Sequence, residues 1–286
     1  MEKIQAAIAK ARATRSGTAD EDRPASAPAK AAASAPETPI GDGASGDRWA
    51  ALPEFTPDPR LVMRNHLVAI KGGRAAMAFD MMRTRLIQQI QANGWRRVAI
   101  TSPGPDCGKS TVALNLGFSL ARQPELRTVL AEADLRRPTI AAMLGLRRPH
   151  SFASVLAGAP FGDHAMRHGS NLAIASNHGP SRNPAELFHS SAAGPALDRI
   201  EAEFAPDVMV FDMPPMLASD DVMAFMRHVD CVLLIAAAGT TTIAEIDSCE
   251  RELAGQTNVM GVVLNKSRYT GPGYGHDYAE APEGAV

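Results

Sequence analysis

"RRVAITSPGPDCGKSTVALNLGFSLARQ", residues 96–123, is the stretch that decides the fold. "RRVAIT" (96–101) reads as a short apolar strand, "SPGPDCGKST" (102–111) as a Gly-containing loop and "VALNLGFSLARQ" (112–123) as an apolar helix. Strand, loop and helix in that order are what a P-loop requires. Backbone N–H groups of the loop and of the helix N-terminus face an anion, a lysine neutralises β- and γ-phosphates, and the next hydroxyl ligates Mg²⁺. Here the loop supplies Pro105, Asp106, Cys107 and Gly108, followed by Lys109, Ser110 and Thr111. The strict pattern GxxxxGK[ST] asks for Gly at 103, where this chain has Pro103 followed by Gly104. A bare GKS is common by chance; the strand before it and the helix after it give it weight.

Working outward, short β-rich runs alternate with helical stretches. The expected strands, besides 96–101, are 127–133, 171–176, 207–212, 231–236 and 258–265. Strands apolar along their length and separated by helices imply an α/β fold: a mostly parallel sheet covered on both faces, P-loop NTPase-like, with ligands at the carboxyl ends of the strands. Before the P-loop, Met77, Met81, Leu86 and Ile90 recur at helical spacing ahead of an Asn93-Gly94 stop. Residues 1–59 read as a disordered extension: 1–15 is a possible short docking helix with Ile4 and Ile8 on one stripe, or else a frayed terminus, and 16–59 is too poor in large apolar groups to offset ordering entropy. Residues 60–266 form the folded domain and 267–286 a flexible tail, which holds the chain's only tyrosines, Tyr269, Tyr274 and Tyr278.

The composition, 45% hydrophobic and 21% charged over 286 residues, is that of an ordinary globular protein, and a formal net charge of −2 gives no general attraction to nucleic acid. Cys107, Cys231 and Cys249 fit neither a zinc site nor a paired disulfide framework, which points to a reducing, cytoplasmic setting. The longest apolar run, "CVLLIAAA" at 231–238, is far short of a membrane span of roughly 20 residues. Cys107 has two readings. It is a small residue that fits the loop, or a thiol whose place near a helix N-terminus favours thiolate and redox sensing.

A P-loop needs acids on neighbouring strands. "VMVFDMPP" supplies Asp212 after four apolar residues, and "TVLAEADLRRP" supplies Glu132 and Asp134 on one side of an extended chain, with Arg136 beyond. A lone Asp at a strand end is commonly a turn or cap residue. Three acids on two strand ends beside a P-loop point instead to Mg²⁺-nucleotide chemistry.

From about residue 66 onward these motifs resemble the bacterial tyrosine kinases (BY-kinases) of capsule and exopolysaccharide synthesis. The resemblance rests on "TSPGPDCGKSTVALNL" for Walker A, "EADLRRP" for the additional Walker A′ motif, "FDMPPMLASDD" for Walker B, "GVVLN" near the nucleotide base, and the tyrosine tail. It implies ATP and Mg²⁺ as cofactors, with Lys109, Ser110 and Thr111 binding phosphate and metal and Asp212 holding the metal. It implies that Asp134, or Glu132 beside it, acts on the incoming tyrosine hydroxyl, that Asp134 lies at the metal, that Arg136 steadies charge near the phosphates and that Asn265 lies by the adenine. It also implies a protein-tyrosine autokinase at the cytoplasmic side of the inner membrane. Its partners would be a transmembrane polysaccharide co-polymerase acting as activator, further copies of itself and a cognate phosphotyrosine phosphatase.

Two positions depart from the family. Glu132 stands where the family usually has Asp, so Asp134 is favoured as the principal acid. The family's ring-forming helix reads ExxRxxR, where this chain has Met77, Asp80 and Arg83. Two rivals remain: a ParA/MinD-like ATPase switch, disfavoured because its second lysine is Gly104 here, and a non-catalytic nucleotide-bound adaptor of an export complex. The tail reads as a tethered acceptor whose distal Tyr274 and Tyr278 reach a neighbouring copy. Its added phosphates, beside Asp277, Glu280 and Glu283, are expected to leave an acidic rim.

Overall fold

The computed structural model describes residues 42–267. Seven strands, β1 (Arg97–Ser102), β2 (Thr128–Glu132), β3 (Ala165–His168), β4 (Leu172–Ala175), β5 (Val208–Pro215), β6 (Cys231–Ala237) and β7 (Asn258–Asn265), make one sheet. Its order is β3-β4-β2-β5-β1-β6-β7. Every pairing is parallel except β3 with β4. The chain leaves β1 for β2 on one side and later crosses it to reach β6 on the other. β1 is therefore the topological switch point, where open α/β sheets bind ligands.

Period-2 alternation divides each strand between two cores. Val98, Ile100, Leu130, Val208 and Val210 enter one, and Ala99, Val129, Ala131, Met209 and Phe211 the other. Five helices of ten residues or more cover them: α1 (Asp42–Ala51), α2 (Met77–Asn93), α3 (Lys109–Ala121), α4 (Ala193–Phe204) and α5 (Ile243–Ala254). α2 and α3 pack on the first face, and α1, α4 and α5 on the second. α2 ends as its sequence predicts, with Gly94 left-handed at φ 67° and its N–H bonded to the Ile90 carbonyl. Its buried stripe differs from the expected one. Leu86 and Ile90 are buried, but Met77 and Met81 are exposed, and Phe79, Met82 and Ile87 turn partly inward in their place.

The expected extension boundary at residue 59 also shifts, because order begins no later than Asp42. Trp49 on α1 is 2% exposed, and its indole N–H donates to the Phe204 carbonyl at 2.7 Å. Downstream, the Phe55 N–H donates to Arg167 O and the Arg167 N–H to Pro53 O, both at 2.9 Å, tying the segment to edge strand β3. Two isolated aromatic residues in an Ala/Pro-rich stretch carry no periodicity, and nothing local in the sequence announces their burial. Residues 1–41, including the suggested helix at 1–15, and the tail tyrosines lie outside the described residues.

Candidate active site

The carboxyl ends of β1, β2, β5 and β7 meet around the loop 103–108. Its backbone turns on Asp106 at φ 57° and Gly108 at φ 88°. The left-handed turn at 108 favours glycine, and so does the space around it: a Cβ there would lie 2.4 Å from Asn265 Nδ2. That amide donates to the Cys107 carbonyl at 2.8 Å. Asn265, implied by the resemblance to lie by a base, thus braces the P-loop from the end of β7. Leu217 N–H bonded to Pro103 O and Thr101 Oγ1 bonded to Pro214 O join the loop and β1 to the chain after β5. Gly108 caps α3 with no side-chain acceptor, so the first N–H groups of the helix face the loop's concavity.

Lys109 opens α3 and is largely buried; its charge lowers the pKa values of both Asp134 and Asp212. Pro105 and Asp106 form the exposed outer turn, and Thr111 is half-buried on the first turn. Cys107 is 3% exposed, with Sγ 3.4 Å from the Gly104 carbonyl and 3.6 Å from that of Pro105. A buried thiol turned toward carbonyl oxygens suits packing, the first of its two readings.

Asp212 lies fully buried beside Glu132 in the β2–β5 register. Neither carboxylate oxygen has a hydrogen-bond partner, although the Ser110 hydroxyl comes near enough to favour its charged form. Burial pushes its pKa up to about 8, with Glu132 and Asp134 adding to the rise and Ser110 and Lys109 opposing it. A buried carboxylate with no partner of its own, next to a hydroxyl on the first turn of a P-loop helix, has the chemistry of a cation ligand. Ser110 and Asp212 therefore fit Mg²⁺.

The two A′ acids part company. Glu132 Oε1 accepts the N–H groups of Thr139 (2.5 Å) and Ile140 (2.7 Å), and Oε2 accepts that of Asn177 (2.7 Å). Both oxygens are occupied and the side chain is fully buried, so the expected role at the tyrosine hydroxyl does not suit it. It acts as a positioning residue: Thr139, which it fixes, places its hydroxyl 3.3 Å from Ser110 Oγ. Asp134 sits half-buried at the exposed side of the same turn, where burial raises its pKa while the backbone N–H groups of Arg137, 3.0 Å from Oδ1, and of Arg136 favour its charged form. Its turn is set from β5, because the Asp212 carbonyl accepts both the Ala133 and Asp134 N–H groups at 2.8 Å.

Arg136, expected at the phosphates, is held elsewhere. Its Nε and Nη2 lie 2.5 and 2.9 Å from the two oxygens of Asp221, a carboxylate 1% exposed. The pair locks the A′ loop to the loop after β5. Asp221, Thr139 and Asn177 were missed in the sequence because they act through loops brought together only by folding; the acidic pair Asp220-Asp221 after Walker B was the one available signal.

A protein-family model described as ParA, NUBPL iron-transfer P-loop NTPase, matches residues 95–281. The tyrosine-protein kinase YwqD of Bacillus subtilis (strain 168) is 30% identical over 173 residues, covering 59% of this chain and 72% of that protein. The chain belongs to the bacterial tyrosine kinases, within the P-loop NTPases. The tyrosine-protein kinase ptk of Acinetobacter johnsonii is 28% identical over 196 residues, 68% of this chain but 26% of that protein. The chain thus spans about a quarter of some relatives it matches. The solved kinase domain of the Escherichia coli tyrosine kinase ETK superposes with a TM-score of 0.61 at 27% identity, covering 71% of this chain and 80% of that one.

In this BY-kinase the helix aligned with the ring-forming ExxRxxR segment is α2, and its surviving polar residues turn inward. Arg83 Nη1 donates to Ser119 O at 2.9 Å, and Asp80 accepts from Ser119 Oγ at 2.6 Å and from Arg122. They fasten α2 to α3. Cys107, Cys231 and Cys249 are each free and buried.

Proposed function

We propose that the chain is an ATP- and Mg²⁺-dependent protein-tyrosine kinase whose acceptors are the tyrosines of its own tail. The observation that carries this reading is Asp212, buried and without a hydrogen-bond partner beside Ser110 and Lys109, with the half-buried Asp134 at the next strand end. The P-loop amides and Lys109 bind the β- and γ-phosphates; Ser110 and Asp212 hold Mg²⁺. Mg²⁺ held there would supply charge neutralisation to the phosphates. Asp134 takes the tyrosine proton as the phenol oxygen bonds to the γ-phosphorus and the bond to the β–γ bridging oxygen breaks, releasing ADP. Its raised pKa makes it a better base than an ordinary carboxylate.

Strand spacing selects among the acceptors. β2 lies four strands from β7, so Asp134 is roughly 19 Å from the end of β7 at about 4.8 Å per strand. At about 3.3 Å per residue, Tyr269 reaches at most about 13 Å beyond Asn265, Tyr274 about 30 Å and Tyr278 about 43 Å. Tyr274 and Tyr278 therefore reach Asp134 with slack and are the favoured acceptors, whereas Tyr269 reaches it only at full extension of chain and side chain. The same lengths reach Asp134 of one chain as well as a neighbour's, so reach selects the tyrosine and not the copy.

Family membership supports a place in exopolysaccharide or capsule export, with a transmembrane activator, further copies of the chain and a phosphatase as partners at the cytoplasmic face of the membrane. Among the described residues no helix is long and apolar enough to cross a membrane. The ATPase-switch reading is disfavoured at Gly104: open space surrounds it, so nothing in the packing forbids the lysine that is missing. Purified protein incubated with Mg-ATP and analysed for phosphotyrosine tests the assignment; ATP hydrolysis without phosphotyrosine would replace it with the switch.

A further inference from the structure

The part of the rim built by the loops after β2 and β4 carries exposed basic groups. Three loops at the carboxyl ends of β2 and β4 are laced together: Ser181 N–H to Leu135 O at 2.8 Å, His178 N–H to His150 O at 3.1 Å, and His178 Nε2 to Leu146 O at 3.2 Å. They present Arg137, Arg147, Arg148 and Arg182, all exposed, and among the described residues none of the four has an ion pair. The acids on the same loops are Asp134, bonded to the Arg137 N–H, and Glu186, whose charge acts on Arg136. Four unpaired guanidinium groups on a platform whose loops are pinned by Glu132 and by the Arg136–Asp221 pair make a surface for carboxylates or phosphates.

The chain carries a matching segment. Residues 269–286 contain no Lys or Arg, and their acids, Asp277, Glu280 and Glu283, follow Tyr274. Along the sheet edge, going away from β7, the P-loop after β1, Asp134 after β2 and the arginine loops of β2 and β4 follow in that order.

We propose that Arg137, Arg147, Arg148 and Arg182 form an anionic-peptide subsite that takes the acidic end of the tail and so holds Tyr274 and Tyr278 at Asp134. The proposal rests on the kinase reading and gives that site its substrate class: tyrosine peptides with carboxylates following the acceptor. A phosphorylated tail is retained by this rim, not expelled.

The test uses the triple substitution Arg147→Ala, Arg148→Ala, Arg182→Ala, which touches no residue at the phosphates, and a peptide of residues 269–286. At low salt the triple variant should raise KM for the peptide about tenfold with kcat within about twofold, three exposed charge pairs being lost. A peptide with Asp277→Asn, Glu280→Gln and Glu283→Gln should show the raised KM on the parent protein and no further rise on the variant. The parent's advantage should shrink as salt shortens the Debye length. A KM change under about twofold, or a kcat loss with KM unmoved, overturns the subsite. So does loss of binding to phosphatidylserine vesicles in the variant while peptide KM is unchanged. Binding of fluorescent peptide by anisotropy separates the two claims. A parent protein that binds the peptide but never phosphorylates it contradicts the kinase reading, and unchanged peptide binding by the triple variant contradicts the subsite.

Discussion

Glu132 Oε2 accepts the Asn177 N–H at 2.7 Å, and the Asn177 side chain returns a bond to the Glu132 carbonyl at 2.9 Å. This reciprocal clamp joins β2 to the loop after β4. With Oε1 on Thr139 and Ile140, it leaves the longer acid no free oxygen, whereas Asp134, two residues on, is only partly buried and takes its hydrogen bonds from the backbone of its own turn. Glu132→Gln turns an acceptor into an N–H donor facing backbone N–H groups, and should cost about 1–3 kcal/mol of stability. Asp134→Asn should keep the melting temperature of the parent and lose most phosphotransfer. Thermal melts beside single-turnover kinetics check this, and the reverse assignment of the two effects would put Glu132 at the chemistry.

The Asp212 carboxyl predicts how stability follows pH. Its folded pKa is raised by burial to about 8 from the ordinary carboxylate value of 3.8, so the folded state holds a proton that the unfolded chain has lost. The metal-free protein should therefore lose stability as pH rises from about 4 to about 8. Asp212→Asn should flatten that slope, and Mg-ATP should offset it in the parent by pairing the ionised form. Melting temperatures across this range, with and without Mg-ATP, provide the measurement; an Asp212→Asn protein with the parent's slope would contradict it.

Trp49 predicts that the segment before residue 59 belongs to the folded body. Trp49→Ala removes a buried ring stacked edge-on against Phe204 at 6.2 Å, together with its hydrogen bond. A loss of about 3–5 kcal/mol is expected in urea unfolding, typical of a core aromatic truncation. A loss below about 1 kcal/mol would mean that α1 is dispensable.

Much of this architecture was legible in local pattern. Six strands followed from apolar runs, and the P-loop followed from a GKS set between a strand and an apolar helix. β3 escaped notice because its four residues form a short antiparallel edge with no long apolar run. At the site, the nearness of Lys109 and Ser110 on the first turn of α3 to Asp134 and Asp212 at strand ends could be expected from position, since that is where such sheets gather chemistry. The tasks of Glu132, Arg136 and Asn265 could not be read there. Each is set by a partner at long range: Asn177, Asp221 and Cys107. Residue type at a motif position names a charge or a donor, and only the fold says which group consumes it.

The most direct measurement incubates the purified chain with Mg-ATP, beside its Lys109→Met variant, and maps phosphate by mass spectrometry. On the proposed reading Lys109 meets the phosphates, where comparable contacts contribute several kcal/mol to the transition state, and Met keeps the side chain's length without its charge. The account predicts phosphotyrosine at Tyr274 and Tyr278 above Tyr269 in the parent, and none in a folded Lys109→Met protein. Undiminished labelling in the variant, or a parent protein that hydrolyses ATP and leaves every tyrosine unmodified, would contradict it.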